Sequence, residues 1–254
     1  MCVTGICCGY IYANKGEVDE AIALYNQSLE INEGIGNVRG KAATLHQLAG
    51  IYAKKGEVEE AIALYNQSLE INECTGNVQG KAATLSQLGI VYAKKGEVEE
   101  AIALYNQSLE INECTGNVQG KAATLQCLGN IYANKGEVEQ AIALYNQSLE
   151  IKERIGNVQG KAATLHCLGM IYANERKVDE AIALFNQSLE IFERIGDVQG
   201  KAMTLWWLGG LAEQQGEYTK AISYLQPALE ILQRLKSPDA ESVSASLERV
   251  IRNS

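Results

Sequence analysis

The chain has 254 residues, 46% hydrophobic and 21% charged; 31 acidic residues outweigh 22 basic ones, for a net charge of −9. An acidic chain without a basic run is a poor match for nucleic acid or an anionic membrane surface. No apolar stretch approaches the roughly 20 residues that span a bilayer, the start from Met1 to Cys8 lacks the basic and apolar runs of a signal peptide, and two prolines suit long helices rather than a many-turned β fold.

The elements repeat every 40 residues, and 254 is six forties with a remainder of 14. The units are 1–40, 41–80, 81–120, 121–160, 161–200 and 201–240, followed by 241–254. Units 41–80 and 81–120 are identical at 36 of 40 positions. Such self-similarity predicts a single array of stacked units over 1–254 rather than one large core. Unit one matches the others from Tyr12 onward, but it has Gly5 where Leu45 and Leu85 stand, and Cys7 and Cys8 in its middle. It begins directly at a first helix, which predicts an uncovered apolar face. Two readings of that face stand: a frayed array end, or a surface for end-to-end self-association.

Residues 78–117 serve as the type unit. Leu85, Leu88, Gly89 and Tyr92 recur at helical spacing, as do Ala101, Tyr105, Ser108 and Leu109. Gly96 is placed to end the first helix in the left-handed conformation. Asn117 is placed to cap the next helix, as are Asp197 and Ser237 in their units. The spacing predicts two antiparallel helices per unit, Val78–Lys94 and Val98–Glu113. Neither buries its apolar face alone, so neighbours must stack. Asn-Gln-Ser recurs at Asn26, Asn66, Asn106, Asn146 and Asn186, mid-helix in each unit, and reads as a structural position rather than a glycan site.

Two later units depart from the pattern. Arg176 replaces the turn glycine of Gly56, Gly96 and Gly136, which predicts a reshaped turn at a cost of about 1 kcal/mol. Pro227 falls inside the second helix of unit six and predicts a kink or a split, at about 3 kcal/mol. Pro238 follows Ser237 as a favoured first helical residue. Val243, Leu247, Val250 and Ile251 form one apolar stripe, so 241–254 reads as a solvating end helix.

Leu88-Gly89-x-x-Tyr92 with Ala101, Tyr105 and the small Ser108 resembles the tetratricopeptide repeat, and the signature recurs around Leu48, Leu128, Leu168 and Leu208. The family usually has 34 residues per unit. These have 40, and the long variety is similar to kinesin light chain, polarity-adaptor and cyanobacterial arrays. The family's terminal proline is replaced by Glu113 and its equivalents. The resemblance implies an all-α, right-handed superhelical solenoid of antiparallel helix pairs, with first helices lining a concave groove. The lysine and asparagine clamp by which some members hold acidic chaperone tails is absent. Lys41, Lys81, Lys121, Lys161 and Lys201, with Lys54, Lys55, Lys94 and Lys95, read either as solvated helix ends or as contacts for an acidic peptide.

Variation between units concentrates in the first helix. One position reads Ile6, His46, Ser86, Gln126, His166 and Trp206. The next reads Cys7, Gln47, Gln87, Cys127, Cys167 and Trp207, and a third reads Tyr10, Gly50, Ile90, Asn130, Met170 and Gly210. Residues i, i+1 and i+4 share a helix face, which the resemblance turns into the groove. The candidate partner contacts are therefore His46, Gln47, Ser86, Gln87, Gln126, Asn130, His166, Met170, Trp206 and Trp207. The variation reads equally as harmless drift between duplicated units. Trp206-Trp207 reads as a binding hot spot or as packing under the end helix. The tyrosine series Tyr25, Tyr65, Tyr105 and Tyr145 reads as core.

Chemistry is thin. His46 and His166 are three units apart, and no metal, nucleotide or thiol-redox motif occurs. No metal, cofactor or catalytic residue is expected, and the chain is not read as an enzyme. Cys74 and Cys114, like Cys127 and Cys167, are one period apart. Stacked equivalents lie roughly 10 Å apart, beyond the ~7 Å between Cα atoms that a disulfide tolerates. Free thiols and a cytoplasmic setting are expected. The sequence thus reads as a protein–protein interaction scaffold or adaptor that takes a peptide or partner segment in its groove. The alternative is a sensor or regulatory module whose superhelix responds to one.

Overall fold

The computed structural model describes the backbone of residues 2–254 and their side chains, those of residues 2–7 and 14 excepted. Helices follow one another in pairs: α1 (Cys2–Lys15) and α2 (Val18–Gly34), α3 (Val38–Lys55) and α4 (Val58–Cys74), α5 (Val78–Lys95) and α6 (Val98–Cys114). The series continues with α7 (Val118–Asn134) and α8 (Val138–Arg154), α9 (Val158–Asn174) and α10 (Val178–Ile195), α11 (Val198–Gln214) and α12 (Tyr218–Arg234), and closes on α13 (Asp239–Asn253). No strand occurs among the described residues. The helices form two compact units, Met1–Ile131 and Tyr132–Ser254.

Turn chemistry sets the helix ends. Gly96 takes φ +87° and closes α5, its N–H donating to Ala93 O and that of Glu97 to Tyr92 O. Only a residue without Cβ enters this left-handed region at no steric cost. Asn77 Oδ1 then accepts the Gly80 N–H at 3.1 Å and caps α5. Glu99 and Glu100 open α6, and Lys94 and Lys95 close α5, so both charges complement the helix dipole. The helices of the type unit end one residue beyond the expected Lys94 and Glu113.

Arg176 overturns the reshaped turn. It adopts φ +60°, and its N–H and that of Lys177 make the same bonds, to Ala173 O and Tyr172 O, as Gly136 and Glu137 make to Ala133 O and Tyr132 O. The turn keeps its geometry and takes the strain. Arg176→Gly is therefore expected to raise stability by up to about 1 kcal/mol, the strain relieved less the entropy glycine adds to the unfolded chain. Urea unfolding of both proteins measures this, and an unchanged or lower midpoint contradicts it.

Pro227 does not split its helix: α12 is continuous from Tyr218 to Arg234. The carbonyl that loses its donor belongs to Ser223, an exposed residue, so the lost bond does not fall in the core. The buried side is held by Leu225, Ala228 and Leu232, packed with Val243 and Val250 of α13. Val243, Leu247 and Val250 of the predicted stripe thus cover the last pair, whereas Ile251 is 52% exposed and lies off the packed face. Pro238 has helical dihedrals just ahead of α13, and the Asp239 N–H donates to Ser237 Oγ at 3.3 Å.

The core of each unit is built from second helices pressed onto the following first helix. Tyr25 packs with Leu48 and Ile51, and Tyr65 with Leu88 and Val91. In the second unit Tyr145 packs with Leu168 and Ile171, and Phe185 with Leu208 and Leu211. Full burial of each such side chain contributes about 1.5–3 kcal/mol. The aromatic series explains the recurrent glycine: a Cβ at Gly89 would lie 2.8 Å from the Tyr105 ring.

A buried polar network joins successive pairs. Asn72 Oδ1 accepts from Asn77 Nδ2 at 2.8 Å, Ser68 Oγ donates to Ala42 O, and Thr84 Oγ1 donates to Gly80 O. The same groups recur at Ser28, Asn32 and Thr44 and at Ser108, Asn112 and Thr124. The serines are those of the Asn-Gln-Ser repeats, so burial accounts for the serine of that motif, while its Asn and Gln are exposed. Later units replace the asparagine with the buried Lys152, whose Nζ donates to Thr164 Oγ1 at 2.8 Å, and then with Phe192.

Candidate functional site

The variable first-helix positions divide into packing and lining roles. His46 Nδ1 lies 3.1 Å from Thr84 Oγ1 on the next first helix, with its ring edge-on to Tyr65 at 5.3 Å. His166 repeats this with Thr204 Oγ1 at 3.0 Å and Phe185 at 5.3 Å. Ser86 Oγ lies 2.8 Å from Ser108 Oγ. Trp206 packs against the cluster shared by α12 and α13. All of these side chains, and Gln126, are half-buried. Burial lowers the pKa of both histidines, that of His166 to about 4, because the charged ring would lose its hydration. Both are neutral at pH 7.

The next position lies about 100° further round the helix. Gln47 and Gln87 are half-buried. Trp207 stacks on Phe185, ring centroids 5.9 Å apart and planes 21° apart. Cys127 is hydrogen-bonded to the Tyr105 hydroxyl; burial, then Cys127, pushes that hydroxyl's pKa up. At the third position Asn130 and Gly210 are exposed, whereas Gly50, Ile90 and Met170 are half-buried. The readings on Ile6 and Cys7 lie outside the described residues. On α1, Tyr10 and Ile11 are 57% and 51% exposed.

Between successive first helices some of these side chains line a cleft in each compact unit. In the first unit Ala53, Gln87, Ile90 and Val91 line a cleft of about 160 Å³, with Lys54 and Lys94 at its rim. In the second unit, 120 residues on, Ala173, Trp207, Gly210 and Leu211 line one of about 370 Å³, with Asn174 and Gln214 at the rim. Trp206 joins this second wall, and Ser246 and Arg249 of α13 close it. Arg249 Nε and Nη2 donate to Glu213 at 2.6 and 2.8 Å, which holds the Glu213 carboxyl below the usual range. Of the candidate contacts Gln87, Trp206 and Trp207 line these two clefts, whereas His46, Gln47, Ser86, Gln126, Asn130, His166 and Met170 line neither.

Other charged groups are satisfied locally. Lys41, Lys81, Lys121, Lys161 and Lys201 pair with Glu33, Glu73, Glu113, Glu153 and Glu193 at 2.7–2.8 Å. Lys55 and Lys95 pair with Glu57 and Glu97. Of the lysines singled out above, Lys54 and Lys94 line the first-helix cleft, whereas Lys41 and Lys161 line clefts beside their paired glutamates. Among the described residues no cluster of His, Cys, Asp and Glu could hold a metal ion, and Cys8, Cys74, Cys114, Cys127 and Cys167 form no disulfide. Among the described residues no helix is long and apolar enough to cross a membrane.

Helix pairs with a small residue under each core aromatic define an all-α solenoid of the repeat type. Residues 7–73, 40–114, 80–154, 121–194 and 160–234 each match the tetratricopeptide repeat family, and the chain belongs to it. Comparison with curated proteins returns no match. Among solved structures, the chain is similar to BtubC (BKLC) from P. vanneervenii, at 21% identity and TM-score 0.75 over 86% of this chain and 92% of that one. It is similar to the nearly identical TPR-like repeats of a putative kinesin light chain from Podosopora anserina, at 25% identity and TM-score 0.61 over 76% and 95%. A Rap protein complexed with competence and sporulation factor is 17% identical, with TM-score 0.73 over 98% and 73%.

Proposed function

We propose that the chain is a non-catalytic, cytoplasmic scaffold or adaptor that holds a peptide or partner segment against the face of its first helices. The observation that carries this reading is the recurrence of a lined cleft at one register, Ala53–Gln87–Ile90 and Ala173–Trp207–Gly210, in both compact units. Gln87, Ile90, Trp206, Trp207 and Gly210, from the positions that vary most between units, line it, on a scaffold that hardly varies. Half-buried amides and indoles on rigid helices suit recognition of an extended or helical segment. Nothing in the charge pattern favours nucleic acid. The structurally similar Rap protein, complexed with a factor, favours a second reading in which binding alters the helix stack and so signals.

Partner capture tests the face. Gln47→Glu with Gln87→Glu is expected to abolish retention of partners that the parent chain and a second-helix control, Gln67→Glu with Gln107→Glu, both retain. Loss in the control alone contradicts the reading. X-ray scattering then separates the two roles: an unchanged radius of gyration on binding marks a plain scaffold, and a changed one the regulatory module.

A further inference from the structure

We propose that the cleft between α9, α11 and α13 is an anchor site for one uncharged apolar side chain of a partner peptide, aromatic or branched aliphatic. The proposal rests on the partner-binding reading above and assigns the chemistry of one place in it. Trp206, Trp207, Ala173 and Leu211 supply the apolar surface. Trp207 is fixed by its stack on Phe185, so this wall is preorganised and loses little entropy on binding. The opposite wall is fixed by Arg249, gripped through two bonds to Glu213. Those two charges satisfy each other, and neither calls for an ion from the guest. The remaining rim groups, Asn174, Gln214 and Ser246, are neutral donors and acceptors that suit backbone amides.

Three differences from the equivalent cleft of the first unit point the same way. Trp207 stands for Gln87, and an aromatic wall replaces an amide. Asn174 and Gln214 stand for Lys54 and Lys94, and two cations are gone. Gly210 stands for Ile90, and the volume rises from about 160 to about 370 Å³. Ligand pockets start at about 300 Å³, so the second cleft seats a side chain with its flanking amides. A charged guest would leave water for a site with no counter-ion. An apolar one exchanges water for two indole surfaces.

Trp206 and Trp207 are the chain's two tryptophans, so intrinsic tryptophan emission reads this cleft and little else. The full chain is titrated with N-acetylated, C-amidated Gly-X-Gly tripeptides in which X is Leu, Phe, Ala, Lys or Glu. Leu and Phe are expected to give a saturable change at concentrations about tenfold below the others. Gly210→Leu is expected to weaken that response about tenfold or more, because Gly210 lines the cleft and a Cβ there meets no heavy atom within 4 Å, so the added side chain has the cleft to occupy. Ser246→Phe closes it from the α13 side, and melting curves check that both variants fold. Equal response to all five peptides, preference for Lys or Glu, or undiminished binding by the folded variants overturns the proposal. Selective Leu and Phe binding alongside partner capture that ignores Gln47 and Gln87 would instead sink the wider first-helix reading and leave the anchor site standing.

Discussion

Pro227→Gln is expected to raise the stability of the unit spanning Tyr132–Ser254 by about 2 kcal/mol. Proline inside a helix removes one hydrogen bond and presses its ring on the carbonyl four residues back, at about 3 kcal/mol. About 1 kcal/mol of that is offset, because proline also restricts the unfolded chain. Glutamine occupies the equivalent place at Gln27, Gln67, Gln107, Gln147 and Gln187, so the replacement side chain is already compatible with this helix surface. The missing bond is that of the carbonyl of the exposed Ser223. The buried side, Leu225, Ala228 and Leu232 against α13, needs no rearrangement to accept the change. Urea unfolding of the full chain, followed by tryptophan emission, reads this unit, because Trp206 and Trp207 lie within it. A midpoint that stays or falls would mean that the restricted unfolded chain outweighs the lost bond.

The survival of α12 shows which part of the fold was legible in the sequence and which was not. Helix pairs and their turns were legible because six aligned units display their spacing many times over: Gly96, Asn117 and the Tyr25 series each meet a requirement that recurs every 40 residues. Local rules failed where packing outweighs them. Pro227 and Arg176 violate helix and turn preferences, yet each sits between neighbours that hold the backbone in place. The first-helix face was legible as a stripe but not as separate roles. Residues i and i+1 are about 100° apart on a helix, enough for His46 and His166 to bond the next first helix while Gln87 and Trp207 turn to a cleft. Hydrophobic periodicity gave no hint of the Ser68–Asn72–Thr84 network, since buried polar groups resemble surface ones in a sequence. Their sameness from unit to unit was the available signal.

The His166 bond makes stability depend on pH, and His166→Gln is expected to remove that dependence. Thr204 Oγ1 gives its one proton to Gly200 O at 2.8 Å. It therefore accepts from His166, and the neutral ring carries its proton on Nδ1. A second proton would go to Nε2, on a ring buried against Phe185, and this desolvation lowers the pKa from 6.5 to about 4. The sign follows from proton uptake. Below pH 6.5 the unfolded chain binds a proton that the folded chain refuses until about pH 4. Stability is whole above pH 6.5, falls as the pH drops through that window, and levels off below it. At pH 5 the loss is about 2 kcal/mol relative to pH 7.5. Gln126 occupies the same position in its unit, so glutamine fits there and does not titrate. Urea midpoints read by tryptophan emission at pH 7.5 and pH 5 are expected to differ by about 2 kcal/mol less in His166→Gln than in the parent. Carboxylates common to both proteins cancel in that difference. His46, bonded alike to Thr84 and also lowered by burial, lies in the other compact unit and adds its own loss there. An equal pH response in parent and variant would place the proton uptake on some group other than His166.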